Sequence, residues 1–266
     1  MGGGRRQSDR RQGHSAALSG VVFAVCAGLA GAPSEAGAGE GFALVGGGGA
    51  LGGVLGGGDD GLHGYAGVIY APGHSLSDTG VLLRGWAKAF EYSYRTDLPD
   101  RPDTRISVLA YGVQVEAGWQ IAGPRGRVAL LPGIAWRDYR LDPADPDSKL
   151  KADRIRPSIA ADAEWRFNDR FGIMGNASYL IGFDEYWVQS RPFVHLGHGW
   201  KAGLDFAGWG GPDYDRLRAG VFTSGYELPL KPFGRRMFLG AEAGVQNDTN
   251  GKRLAPFAGM SVGVLF

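Results

Sequence analysis

Residues 106–121 read Ile-Ser-Val-Leu-Ala-Tyr-Gly-Val-Gln-Val-Glu-Ala-Gly-Trp-Gln-Ile. Leu109, Tyr111, Val113, Val115, Ala117, Trp119 and Ile121 fall on one side of this run. Gly112, Gln114, Glu116, Gly118 and Gln120 fall on the other. Side chains of an extended strand alternate between faces, so this period of two predicts a strand with one apolar and one polar face. The run is far longer than the usual five or six residues of a soluble strand.

The pattern recurs in both directions. Pro157, Ile159, Ala161, Ala163, Trp165 and Phe167 alternate with Arg156, Ser158, Ala160, Asp162, Glu164 and Arg166. A turn at Asn168-Asp169-Arg170 leads into 171–181. Residues 200–209 set Ala202, Leu204 and Phe206 against Lys201, Gly203 and Asp205. Residues 236–246 set Met237, Leu239, Ala241, Ala243 and Val245 against Glu242, glycines and Gln246. Weaker alternation covers 42–51, 62–72, 81–95, 127–139, 186–197, 214–228 and 253–266. The total is about twelve strands, of the length that crosses a bilayer when tilted. Amphipathic helical periods and long apolar runs are lacking.

The chemistry of the two faces decides between two barrel types. One face is apolar, with Tyr111, Trp119, Trp165 and Tyr179 toward its ends. The other carries glycine, small polar and charged residues. Apolar outside and polar inside describes a barrel in lipid; a soluble ligand-carrying barrel has the reverse. Backbone groups facing hydrocarbon must all be paired, so such a sheet has to close. The expectation is an all-β protein, a closed antiparallel transmembrane β-barrel in the bacterial outer membrane. Segments 122–126, 168–170, 197–199 and 229–235 become periplasmic turns. Segments 96–104, 140–153, 182–185, 210–213 and 247–252 become external loops.

Two ends of the chain fit export. Arg5, Arg6, Arg10 and Arg11 precede an apolar run from Ala16 to about Ala32, then the small residues Ala36-Gly37-Ala38. Basic, apolar, then small is the layout of a secretory signal. Residues 1–38 are therefore assigned to a signal peptide and 39–266 to the barrel, with a glycine-rich start at 46–58. The only cysteine, Cys26, falls in the signal, which leaves no disulfide framework. At the other end Ala258, Met260, Val262, Val264 and Phe266 share a face. A terminal aromatic on an amphipathic strand resembles an assembly signal, with Phe266 as its key residue and the outer-membrane barrel assembly machinery and membrane lipid as partners.

Composition narrows function. The 266-residue chain has a formal charge of +1, which argues against nucleic-acid binding. Gly47, Gly49 and Gly52 match G-x-G-x-x-G, but a run of glycines follows where a nucleotide fold needs a helix. No cofactor motif and no metal-ligand spacing is present. His195 with Ser190 and Asp184, and His198, are the residues a hydrolase would use, but no spacing joins them into a triad.

The charged residues are expected to pair inside the lumen, because charges in a narrow barrel need partners or water. This network comprises Arg84, Lys88, Glu116, Arg156, Asp162, Glu164, Arg191, Asp205, Arg216, Arg218 and Glu242. Aromatics share that face: Trp86, Tyr92 and Tyr94 on one strand, Trp187 on another. Flat rings beside polar groups suit sugar contact.

Several stretches together resemble one family. They are Gly64-Tyr-Ala-Gly-Val-Ile-Tyr-Ala71, Gly80-Val-Leu-Leu-Arg-Gly-Trp86, Glu91-Tyr-Ser-Tyr94, Trp136-Arg-Asp-Tyr-Arg-Leu-Asp-Pro143, Phe183-Asp-Glu-Tyr-Trp187 and Tyr214-Asp-Arg-Leu-Arg-Ala-Gly220. Their order and spacing resemble the alphaproteobacterial cellulose biosynthesis protein BcsS family, from about residue 42 onward. The resemblance implies a non-enzymatic outer-membrane accessory of cellulose production or export, working with cellulose or components of the cellulose synthase complex. It brings no catalytic residues. A small general porin, or less readily a lipid or polysaccharide hydrolase, are the alternatives.

Overall fold

The computed structural model describes residues 41–51, 62–148, 150, 154–212, 214–229, 236–247 and 254–265, with backbone only for 41–51 and 62. The signal segment, Gly52 and Phe266 lie outside these residues. The described chain is antiparallel β-structure throughout. Its strands are β1 (Gly41–Leu51), β2 (Leu62–Ala71), β3 (Gly80–Leu98), β4 (Arg101–Gly123), β5 (Gly126–Asp142) and β6 (Arg154–Arg166). There follow β7 (Phe171–Leu180), β8 (Glu185–Gly197), β9 (Trp200–Gly211), β10 (Tyr214–Glu227), β11 (Arg236–Asn247) and β12 (Leu254–Leu265). Each strand from β2 to β12 pairs with the next in sequence, and β1 pairs with β2 on one edge (Val45↔Gly67) and β12 on the other (Val45↔Gly263). Gly47 and Gly49 lie on β1.

The alternation read in residues 106–121 is observed directly. On β4, Val113, Val115, Trp119 and Ile121 point outward and are exposed, while Gln114, Glu116 and Gln120 point inward and are each 1% exposed. The same inversion holds on other strands. Leu130, Ile134, Ile155, Ile159, Val188, Leu204, Phe206, Leu217, Val221 and Met260 are all exposed apolar residues. Such a continuous apolar exterior is far beyond the patches of a few hundred Å² that soluble monomers tolerate. Aromatics mark its two rims. Trp119, Trp165 and Phe171 lie toward the end carrying the β4–β5 and β6–β7 turns, and Tyr179 and Tyr186 toward the opposite end. We call these the near and far ends.

Glycines on the inner face give room to large neighbours. A Cβ on Gly67 would lie 2.1 Å from the Trp86 ring, and one on Gly112 would lie 2.1 Å from the Arg137 guanidinium. Each glycine sits directly across the ladder from the side chain that covers it. Part of the glycine excess therefore serves to let aromatic and arginine side chains lie flat against the wall.

Two expectations are corrected. Residues 96–104 are a continuation of β3 and β4, not a loop: the strands pair as far as Leu98↔Arg101. With 23 residues, β4 is about twice the length needed to cross a bilayer, so the β3–β4–β5 side projects at the far end. Polar residues stabilise the projection. Arg95 pairs with Asp103 at 2.6 Å, and Arg105 donates to the Ser93 hydroxyl at 2.7–2.9 Å.

The inner face is also not polar along its whole length. At the far end Tyr92, Tyr94, Ile106, Val108, Ala110, Tyr139, Leu180 and Phe183 form a buried apolar cluster, with Leu150 packed on it. Phe183 and Leu150 come from segments 182–185 and 140–153, so both of these supposed external loops send an apolar side chain inward. Tyr94 fixes the longer one by donating to the Asp145 carboxylate at 2.6 Å.

At the near end Ala71, Leu82, Ala129, Leu131 and Ala160 make a second cluster, which takes Leu76 from the β2–β3 connection. The Gln120 amide donates to the carbonyls of Leu76 and Asp78 at 2.9 and 2.8 Å, and Arg127 also reaches Leu76 O at 3.2 Å. The connection at 72–79 is thus tucked into the mouth. Gln120→Leu keeps the side chain's size and removes both amide bonds, leaving the Leu76 carbonyl to Arg127 alone and the Asp78 carbonyl without its amide donor. The order of loss is about 1–3 kcal/mol of local stability. Limited proteolysis of the solubilised protein should cut within 72–79 roughly ten-fold faster in this variant; an unchanged rate would show that the Gln120 amide does not anchor the segment.

Candidate functional site

Between the two apolar clusters lies a charged middle. Arg84 on β3 pairs with Glu116 on β4 and with Asp162 on β6. Gln114 donates to Glu116 at 2.7 Å. Arg191 on β8 pairs with Asp205 on β9 at 2.7 Å and with Glu242 on β11. Arg218 on β10 pairs with Asp205 at 2.9 Å and Glu242 at 3.0 Å. Gln189 donates to Asp205 at 2.6 Å and accepts from Asn176 at 3.0 Å. Lys201 pairs with Glu164, and Arg137 with Glu185 at 3.4 Å. Four of these contacts, Arg84–Asp162, Arg137–Glu185, Lys201–Glu164 and Arg191–Glu242, join strands three apart in the sheet order. They reach over the interior rather than along a ladder.

Among the described residues the side chains outline a near-end and a far-end cavity. A near-end cavity of about 180 Å³ is lined by Leu82, Gln120, Arg127, Leu131, Glu164 and Met174, among others. A far-end cavity of about 360 Å³ is lined by aromatics and cations. Arg84, Asp162, Asn176, Gln189 and Arg191 border both, so these five form the polar septum between them.

The larger cavity brings together rings from opposite walls. Trp86 stands edge-on to Tyr65 at 5.9 Å between ring centres. Trp187 and Trp209 lie 5.4 Å apart, tilted by 35°. Tyr92 of β3 meets Tyr214 of β10 at 4.9 Å, and these strands are far apart in the sheet order. The ring contact therefore crosses the interior. Trp187 donates from its indole to Asn176 at 2.6 Å and carries the Arg218 guanidinium over its face at 5.4 Å. Such stacked cations orient the ring and add about 0.5–2 kcal/mol.

The sequence-proposed residues are placed as follows. Trp86, Tyr92 and Trp187 line the larger cavity; Tyr94 lies beyond it in the far-end cluster. Arg84, Glu116, Asp162, Arg191, Asp205, Arg218 and Glu242 form the paired centre, and Glu164 pairs on the near-end side. Lys88 and Arg216 stand on the cavity wall, where Lys88 Nζ reaches Gln114 at 3.3 Å. Arg156 stands apart: among the described residues it reaches the Ile155 carbonyl, at 3.5 Å, and lies beside Gly182. The hydrolase constellation does not assemble. His195 faces inward at the near end, Ser190 faces outward, Asp184 sits in the far-end turn and His198 in the β8–β9 turn. Among the described residues no group of His, Cys, Asp and Glu could hold a metal.

Residues not singled out from sequence complete the cavity: Tyr65, Arg137, Glu185, Trp209 and Tyr214. Their signal was parity. Tyr65 lies two residues beyond His63 and Trp209 four beyond Asp205, each on the same face, so carrying the polar face to the end of each strand would have found both.

Ion pairs and amides inside and aliphatic side chains outside define a class: a curled antiparallel β protein of inverted polarity. The chain belongs to the cellulose biosynthesis protein BcsS family, whose family model matches residues 54–266. This gives it a role in cellulose biosynthesis. No curated protein is significantly similar to it in sequence. Among solved structures it is similar to KdgM porin, with 9% identity over 84% of this chain and 99% of that one, at a TM-score of 0.46. It is similar also to a Pseudomonas aeruginosa FadL homologue, with 10% identity over 85% of this chain and 89% of that one, at 0.36. The outer membrane protease OmpT from Escherichia coli gives 10% identity over 85% and 93%, at 0.29.

Proposed function

We propose that the protein is a closed twelve-stranded outer-membrane barrel that serves cellulose production without catalysing a reaction. The observation that carries the membrane reading is the exposed apolar exterior bounded by aromatics. On β4, Tyr111 and Trp119 are eight residues apart, about 26 Å along an extended strand. At the ~35–45° tilt of such barrels this spans about 18–21 Å of depth, within their ~25 Å apolar band. The pairing of β1 with both β2 and β12 supports closure. Membrane lipid and the barrel assembly machinery are then its partners, and cellulose or the synthase complex the assembly it serves.

The interior supports a chamber in preference to a conduit. A glucan strand threading it would have to pass the Tyr92–Tyr214 contact, the septum and the Leu76 plug in turn. The same three barriers count against an open porin. In planar bilayers the native protein should show no steady ion conductance, and a stable open channel would reject the chamber reading.

Placement is tested by cell fractionation with gel mobility before and after boiling. An outer-membrane band that runs faster unboiled is expected. A soluble protein without a heat shift would overturn the barrel. For the cellulose role, deleting the gene should lower dye-binding polymer, and complementation should restore it.

A further inference from the structure

One cation on the wall of the larger cavity, Lys88, is held by an amide and not by a carboxylate among the described residues. That wall carries Arg84, Lys88, Arg137, Arg191, Arg216 and Arg218 against Glu116, Asp162, Glu185 and Glu242, with Glu91 on the alternate parity of β3 from Lys88. Asp205 lies directly behind Arg191 and Arg218. Glu116, Asp162, Glu185, Asp205 and Glu242 are each already held by an arginine. Lys88 differs from the arginines that hold them: among the described residues no carboxylate lies within ion-pair distance, and its ammonium touches only the neutral Gln114 amide. A charge enclosed by protein is costly without a counter-charge, and a ligand can supply one.

The rest of the wall specifies what carries that charge. Trp86 is two residues from Lys88 on the same face of β3, so its ring lies about 7 Å along the wall from the ammonium stem. Trp187 and Trp209 present a tilted pair of rings. Beside these are the side-chain amides of Gln114, Asn176 and Gln189. Rings offer faces to the C–H surface of a pyranose, and amides with ion-paired guanidiniums exchange hydrogen bonds with its hydroxyls. At about 360 Å³ the space is at the small end of the ~300–1,000 Å³ typical of ligand pockets, enough for one or two sugar rings.

We propose that this cavity binds a short saccharide bearing a single anionic group, with the acid at Lys88 and the rings against Trp86, Trp187 and Trp209. The inference rests on the chamber reading of the interior and adds a ligand class to it. A uronate carboxylate and a sugar phosphate share the required chemistry.

The test uses the whole purified barrel in detergent, following tryptophan fluorescence as a uronic-acid disaccharide, a hexose phosphate and neutral cellobiose are added in turn. At least one of the two acidic probes should quench saturably, and which one does identifies the source of the charge. Cellobiose should bind at least ten-fold more weakly. Lys88→Gln should reduce acidic binding about ten-fold or more, the order of one hydrogen bond to a charged group, and leave cellobiose unchanged. Trp187→Phe should lower the quenching amplitude. Equal affinity for cellobiose, no effect of Lys88→Gln, or no binding of either acidic probe would each overturn the proposal. Every variant is first checked for the heat-dependent gel shift. Loss of ligand binding in a protein that keeps its shift sinks this proposal alone, whereas a missing shift in the native protein sinks the barrel reading.

Discussion

Arg84→Met is expected to cost about 3–5 kcal/mol of folding stability, the range for removing one partner of a buried ion pair. The two acids it holds are not equivalent. The Glu116 side chain is 0% exposed, whereas that of Asp162 is 39% exposed and borders both cavities. Water can reach Asp162 once the guanidinium is gone, but Glu116 is left as an isolated buried charge beside one amide. Most of the loss therefore belongs to Glu116. Arg84→Met combined with Glu116→Gln should recover much of it, because glutamine keeps the shape and still accepts from Gln114. The quantity to measure is the urea midpoint of the heat-shifted band for each variant. Equal midpoints for the single and double variants would show that packing, not charge, sets the cost. Full recovery would agree with the general finding that a buried pair adds little beyond an uncharged substitute but is expensive to break.

That experiment probes a part of the molecule only half legible in the sequence. Which residues face inward follows from period two alone, and β4 shows why: one slip of register would put Glu116 into the apolar exterior, so the pattern is strongly specified. Which inward residues meet does not follow. Arg84 and Asp162 are 78 positions apart, and nothing in either strand encodes the curvature that brings β3 and β6 within reach of one another. Arg137–Glu185 went unnoticed for the same reason.

The ends were misread for a different one. Thr96, Asp97, Arg101, Asp103 and Thr104 look like loop because they are polar on both faces, and a strand that leaves the apolar belt has no need to alternate. Conversely Leu76, Leu150 and Phe183 sit in segments whose polar composition predicts exposure, yet a single apolar side chain suffices to turn each inward. Lys88 could be assigned to the charged face, but its lack of a carboxylate partner among the described residues emerges only when Glu116, Asp162, Glu185 and Glu242 have been matched to their arginines.

Val115→Arg is the second large effect and tests the exterior. Val115 lies midway between Tyr111 and Trp119, is 56% exposed, and pairs across the ladder with Ile134, itself 56% exposed. In lipid an arginine at this depth costs about 2–4 kcal/mol, falling to about 0–1 near the interfaces. In water the same substitution would replace an exposed valine with a charge and change stability by no more than about 0.5 kcal/mol. The two environments thus predict different outcomes for one side chain.

Folding into lipid vesicles, followed by the fraction of heat-shifted band across a urea series, gives the comparison. Thr96→Arg on the projecting β3–β4 hairpin serves as the control, since that position lies beyond the apolar belt and should tolerate the charge. A loss at Val115 with none at Thr96 maps the boundary of the belt onto β4. A neutral Val115→Arg would remove the lipid from around β4, and with it the physical reason for placing aliphatic side chains outside and ion pairs within.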